Sequence, residues 1–155
     1  MTAGATADLP DALATIVDDF NALSQPDRLQ LLLEFSQGLP DLPERYAEHP
    51  ELLEPVPECQ SPIFLIAEID DAAGVGEESV VHLIFSAPAE APTTRGFAGI
   101  LQEGLDGLTA AEVLAVPGDI SDRLGLAQAV SPLRLRGMGG MLGRIQRQVR
   151  EKSAA

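Results

Sequence analysis

The chain has 155 residues, 45% of them hydrophobic, with one cysteine, two histidines and a formal net charge of -14. That is enough apolar content for a single core, but too few Cys and His side chains for a disulfide framework or a structural zinc or iron-sulfur cage. The acidic balance excludes a general affinity for nucleic acid or anionic membrane, both of which call for a cationic surface.

The chain starts without the basic residues and apolar run of a secretory signal, and no apolar stretch approaches the roughly 20 residues of a membrane span. A cytoplasmic, reducing setting is expected. Residues 1–8 read as a flexible tail, 9–152 as a single domain and 153–155 as a flexible end. Leu13, Ile16, Val17 and Phe20 then fall at helical spacing, with Pro10 in the first turn and Asp8 or Leu9 near the cap. A second helix is predicted from the capping-box pattern Ser24-Gln25-Pro26-Asp27, through Leu29, Leu32, Leu33 and Phe35, to a stop at Gly38.

From Leu39 to Pro57, five prolines (40, 43, 50, 55 and 57) oppose both helix and interior strand, so this stretch is expected to be an ordered loop or an edge. Ile63 to Ile69 and Ser79 to Ser86 read as strands joined through the glycine-bearing turn Asp70 to Gly76. Two strands alone are marginal, and a short third is expected around Leu53 to Val56.

The helical period returns after Pro92, where Phe97, Ile100, Leu101 and Leu105 share a face, Thr93 or Thr94 caps, and Gly104 or Gly107 ends the helix. A capping box at Thr109 to Glu112 opens a helix to Ala115, and a short helix covers Ile120 to Leu124 before Gly125. A last helix is predicted from Met138 to Lys152, with Met138, Met141, Leu142, Ile145 and Val149 inward and Gly137, Gly139 and Gly140 at a flexible or tightly packed start. Strands followed by helices define an α+β class: a small antiparallel sheet of about three strands with helices on one face.

Cys59, in Glu58-Cys59-Gln60-Ser61 at the end of the proline-rich stretch, is the main chemical candidate. By residue type alone it is either a nucleophile or an inert buried thiol. Glu44, Glu48, Glu51, Glu54 and Glu58 crowd its approach, and carboxylates there should raise its pKa. Arg95 and Arg134 are open between structural hydrogen bonding and a role in holding the Cys59 loop or contacting a partner. His82 reads as a strand residue and His49 as a loop residue. A cysteine hydrolase or transferase would have to draw its base from one of these. The basic run Arg134, Arg136, Arg144, Arg147, Arg150 and Lys152 is either a solvated face paired with carboxylates or an adaptor surface for an acidic partner. Arg136 to Gly140 lacks the strand-loop-helix setting of a phosphate loop.

Several motifs in order resemble the SufE family: Leu39-Pro40 and Leu42-Pro43, Cys59-Gln60-Ser61, Thr94-Arg95-Gly96-Phe97, Gly107-Leu108-Thr109 with Val113-Leu114, Ser131-Pro132-Leu133-Arg134, and a closing Met-rich basic helix. The resemblance spans about Leu9 to Lys152 and implies the α+β fold shared with IscU-like scaffolds. It implies a sulfur-acceptor protein with no cofactor or metal of its own. Such a protein takes persulfide sulfur from a SufS-type cysteine desulfurase, stimulates it, and delivers sulfur to a SufBCD-type scaffold for iron-sulfur cluster assembly. It makes Cys59 the persulfide carrier on a loop that moves into the partner's site, with Glu58, Gln60, Ser61, Arg95 and Arg134 as loop or partner contacts. One unpaired thiol suits a carrier, because a neighbouring thiol would release the sulfur as sulfide. Glu58 stands where many members have glycine. The acidic surroundings imply a thiol that the desulfurase activates on docking.

Overall fold

The computed structural model describes residues 8–72 and 74–154. The apolar stripe Leu13, Ile16, Val17 and Phe20 is buried on helix α1 (Asp11–Asn21), and α2 (Gln25–Gly38) follows it. A one-turn helix α3 (Glu44–Ala47) and strand β1 (Glu54–Pro55) occupy the proline-rich stretch. Strands β2 (Phe64–Ile69) and β3 (Val81–Ser86) come next, and then helices α4 (Pro92–Leu105), α5 (Ala110–Leu114), α6 (Ile120–Arg123) and α7 (Pro132–Ser153). The sheet is antiparallel in the order β1-β2-β3, with Leu65 opposite Phe85 and Glu54 opposite Leu65. This is the α+β arrangement expected from the sequence.

Strand alternation separates the two faces of the sheet. Leu65 and Ala67 of β2 and Val81, Leu83 and Phe85 of β3 are buried, and α7 and α4 pack against these strands. Glu68 and His82 are paired on the other face, where α3 touches down: Tyr46 donates its hydroxyl to Glu68 at 2.5 Å and Arg45 adds an ion pair at 2.7 Å.

Strand β1 covers only Phe64 and Leu65 of its neighbour. Further along β2, side chains of α7 take its place: the Ala67 amide donates to the Gln148 side-chain oxygen at 2.8 Å, and Lys152 donates to the Ala67 carbonyl at 2.6 Å. A buried backbone group needs such a partner, so α7 is fastened to the sheet by hydrogen bonds as well as by apolar contact.

Helices α2 and α4 meet at glycines. A Cβ on Gly96 would lie 2.5 Å from the Leu32 carbonyl oxygen, and one on Gly99 would lie 2.3 Å from that of Phe35. Gly104 lies against the Leu13 side chain of α1, where an added Cβ would stand 2.9 Å from Leu13 Cδ1, so it is a packing residue within the helix. The helix ends at Leu105, and Gly107 supplies the left-handed turn at φ 90°.

Several local expectations are corrected. Ser24 caps α2 through its backbone alone: Pro26 has no amide hydrogen to offer, and Asp27 is too short for the reciprocal bond of a capping box. Ala91, rather than Thr93 or Thr94, is the N-cap of α4, and Thr94 is buried inside it. Pro10 is itself the cap of α1, while Asp8 is held by Arg123 at 2.6 Å. Strand β3 starts at Val81, two residues later than expected. Helix α7 starts at Pro132, six residues earlier than expected, because Ser131 accepts from the Arg134 amide and Pro132 fits the first turn. Its glycines therefore lie inside the helix. The capping box at Thr109 and Glu112 is present with both bonds formed. Of the two expected flexible ends, residues 1–7 and 155 lie outside the described residues, and Ser153 is the last residue of α7.

Candidate functional site: the Cys59 turn on helix α7

Between β1 and β2 the chain makes a small loop whose neck is closed by the Val56 amide donating to the Ile63 carbonyl at 2.9 Å. Val56 and Ile63 are both buried, so the loop leaves from and returns to fixed points in the core. Within it, Pro57–Cys59 form a single 3-10 turn, and Gln60 takes the left-handed conformation at φ 55° and ψ 23°. Gln60 is the one non-glycine residue with positive φ among the described residues, a conformation side chains favour only when the surroundings impose it. Glu58 is outside that region, so the turn does not require glycine before the cysteine.

The turn lies on α7 in a mould made by missing side chains. A Cβ on Gly137 would stand 3.1 Å from Cys59 Sγ and 3.2 Å from its Cα, and a Cβ on Gly140 would stand 2.9 Å from Glu58 Oε2. Gly139 and Gly143, on the same helix, have nothing within 4 Å. The thiol is buried and points to the Gly137 carbonyl at 3.6 Å. Beside it is a cavity of about 180 Å³ lined by Cys59, Gln60, Ser61, Ser131, Leu133 and Arg134. Four of the six residues singled out in the sequence thus meet at one place.

Glu58 takes a different partner. Arg144, one turn beyond Gly140 on α7, forks between Glu58 at 2.7 Å and Glu54 at 2.7 Å. Arg147 also pairs with Glu54, and Gln148 donates to Glu54 at 2.9 Å. Of the five carboxylates near the thiol in sequence, Glu54 and Glu58 are therefore paired with arginines in the fold. Burial is the main force that pushes the Cys59 pKa up to about 12; Glu58 adds to it and Arg144 partly offsets it. The thiol stays protonated at neutral pH.

Burial also acts against ionisation of Glu54, but the bonds from Arg147, Arg144 and Gln148 outweigh it and hold the pKa at about 2, against an ordinary 4.5. A carboxyl held below its unfolded value stabilises the fold above pH 4.5, and the effect is lost as pH falls towards 2. With solvent screening of this half-buried cluster, about 1–2 kcal/mol is expected. Glu54→Gln should flatten the acid limb of the stability curve between those pH values, as followed by urea denaturation; an unchanged limb would show that the cluster contributes nothing.

Arg95 is placed elsewhere. Its guanidinium donates to the carbonyls of Ser36, Ala87 and Leu39 at 2.8, 2.6 and 3.3 Å, tying α4 to the ends of α2 and β3 rather than to the Cys59 loop. The histidines are also away from the cavity: His82 faces Asp106 at 3.4 Å and His49 faces Glu51 at 3.2 Å. Neither is positioned as a base for Cys59. Among the described residues, no group of three or more His, Cys, Asp or Glu side chains could hold a metal ion, and no helix is long and apolar enough to cross a membrane.

The pairing of Arg144 with Glu58 and Glu54, and the packing of Gly137 and Gly140 under the Cys59 turn, are contacts that sequence reasoning did not assign. Their signal was available in part, since 137, 140 and 144 repeat at intervals of three and four on one helix face.

A small three-stranded sheet flanked by helices, with one sheltered thiol in the loop entering β2, defines a class of thiol-bearing α+β proteins. The chain belongs to the SufE family: residues 14–149 match the SufE domain, described as an Fe-S metabolism associated domain. It is 55% identical over 147 residues to an uncharacterised SufE-like protein of Mycobacterium tuberculosis, covering 95% of this chain and 97% of that one. It is 27% identical over 142 residues to SufE-like protein 1, chloroplastic/mitochondrial, of Arabidopsis thaliana, covering 91% of this chain and 35% of that longer protein. The fold superposes on the solution structure of a hypothetical protein from Thermus thermophilus with a TM-score of 0.77 and 38% identity, covering 93% of this chain and 97% of the other. Membership places the chain in iron-sulfur metabolism, and the family implies interaction with a cysteine desulfurase.

Proposed function

We propose that the protein is a cytoplasmic sulfur acceptor and carrier that takes persulfide sulfur from a SufS-type cysteine desulfurase onto Cys59, stimulates that enzyme, and passes the sulfur to a SufBCD-type scaffold. It acts as a carrier and activator and holds no cofactor. The observation that supports this most is the position of the chain's single thiol in a SufE fold: on a turn with fixed ends, sheltered on α7 and bordered by a cavity.

In the transfer step, the Cys59 thiolate attacks the outer sulfur of the desulfurase persulfide. The S–S bond of the donor breaks, its cysteine leaves as a thiolate, and the new S–S bond carries the sulfur on Cys59 as a persulfide. A second exchange of the same kind hands the sulfur to an acceptor thiol. No electrons are gained or lost overall. A thiol with its pKa near 12 does not start this reaction alone. Docking supplies the missing activation by drawing the turn from its bed into a cationic site. Gln60, Ser61 and Arg134, at the mouth of the cavity, are the contacts proposed for the partner, while Arg95 supports the fold from behind.

Intact-mass measurement after incubation with a cysteine desulfurase and free cysteine tests the proposal. The expected result is a gain of one sulfur atom that reductant removes and that Cys59→Ala abolishes. Wild-type protein that gains no sulfur, while a known acceptor does so in parallel, would overturn it. Sulfur loading that survives Cys59→Ala would overturn the assignment of the residue.

A further inference from the structure

The stripe of α7 under the turn continues beyond the thiol. Gly137 lies beneath Cys59, Gly140 beneath Glu58, and Arg144 closes over the Glu58 carboxylate. Gly140 has a specific use here: a Cβ at that position would stand 2.9 Å from Glu58 Oε2 and 3.0 Å from its Cβ, so the Glu58 side chain would have to shift from its place against the helix. Arg144 is itself well fixed. It keeps Glu54 on its other fork, and its Nε is a buried donor with no partner among the described residues, a cost that the two charged bonds offset. Glu54 is anchored in turn by Arg147 and Gln148.

We propose that Arg144 is a positioning residue for Cys59 and that the Glu58–Arg144 pair is the catch that keeps the cysteine turn on its bed. The proposal builds on the carrier function, but the catch is defined without it. Release breaks only the Glu58 bond, because Arg144 retains Glu54. Glu58 is the side chain immediately before Cys59, so letting go of its carboxylate frees the thiol with it. Opening becomes a local event that leaves β1 and α7 in place.

Iodoacetamide alkylation of Cys59 in the purified protein, at fixed mildly alkaline pH and without any desulfurase, measures how often the thiol is uncovered. Losing the catch should speed alkylation by roughly five- to thirtyfold, the factor that 1–2 kcal/mol represents. Glu58→Gln and Arg144→Gln should both accelerate it, and the double variant should be no faster than the faster single one.

The two single variants exclude a purely electrostatic account. Glu58 opposes ionisation of the thiol and Arg144 favours it, so a charge effect alone would make the first variant faster and the second slower. Arg144→Lys keeps the charge but gathers its donors on one nitrogen, without the two spaced nitrogens that Arg144 gives to Glu54 and Glu58; it should still be faster than wild type, and it carries the test if Arg144→Gln does not fold. Arg147→Gln, which leaves the Glu58 bond intact, should match wild type. Opposite effects of the two single variants, or unchanged rates in both, would overturn the catch. A protein that shows the catch but gains no sulfur from a desulfurase would overturn the carrier function instead.

Discussion

Gly137→Val should raise the thiolate fraction of Cys59 at neutral pH by about a hundredfold or more, since two units of pKa are two decades of ionisation. The first added carbon would meet Sγ at 3.1 Å and the Cys59 backbone at 3.2 Å, and the two further methyl groups of valine add bulk beyond a carbon that is already too close. The helix is fastened to the sheet through Gln148 and Lys152, so the turn is the part that moves. Once lifted, the thiol regains water and loses the burial that pushes its pKa to about 12. Its titration should fall towards the ordinary value near 8.5, raising the thiolate fraction at every pH below that. Ultraviolet titration of the thiolate is the direct measurement. A midpoint unchanged from wild type would show that burial on Gly137 is not what keeps the group quiet. Gly143→Ala on the same helix meets nothing, and should add about 0.5–1 kcal/mol of stability through helix propensity without moving the thiol.

Gly99→Val should cost about 3 kcal/mol or more of folding stability, at the upper end of overpacking effects. Its Cβ would meet the Phe35 carbonyl oxygen at 2.3 Å and the Phe35 carbonyl carbon at 2.9 Å. Both are backbone atoms of α2, so no rotamer change relieves the clash and the helices must separate. Separation would also disturb the contact at Gly96, where an added Cβ would lie 2.5 Å from the Leu32 carbonyl oxygen, and would open a gap around Leu32 and Phe97 in the core. The denaturation midpoint should fall with little change in slope. A loss below 1 kcal/mol would mean that α2 can slide away from α4 at little cost. Sulfur loading of the fraction that remains folded should be unaffected, because neither helix lines the Cys59 cavity.

The sequence carried the periodic parts of this fold well. The stripe on α1, the alternation in β2 and β3 and the Thr109 capping box each depend on residues close in the chain, and each appears where expected. The proline-rich stretch was harder. Pro43 and Pro50 stand at helix starts, where a missing amide hydrogen costs nothing, and Pro55 sits on the edge strand, so the same residue type serves helix and sheet by position. The glycines were harder still. Gly137, Gly140, Gly96 and Gly99 look like helix breakers in isolation; what they accommodate lies 64 to 82 residues away in the chain.

The site shows the same division. Cys59 was legible because it is alone, and Gln60, Ser61 and Arg134 followed through their motifs. Glu58 and Glu54 looked like repulsion because their cations, Arg144 and Arg147, come from the far end of the chain. The sign of the Cys59 shift was right, but its main cause is burial, which no local sequence window contains.

The first turn of α7 stands out from the protein: Pro132, Leu133, Arg134 and Arg136 are exposed, and Gly137 is the first buried residue of the helix. Amide hydrogen exchange should therefore show a step at this point, fast before Gly137 and slow from Met138 onward, where the helix faces the core. The thiol rests on that boundary. A partner that grips this exposed outer turn acts beside the cavity that Cys59 lines, while the helix from Gly137 onward is buried against the core.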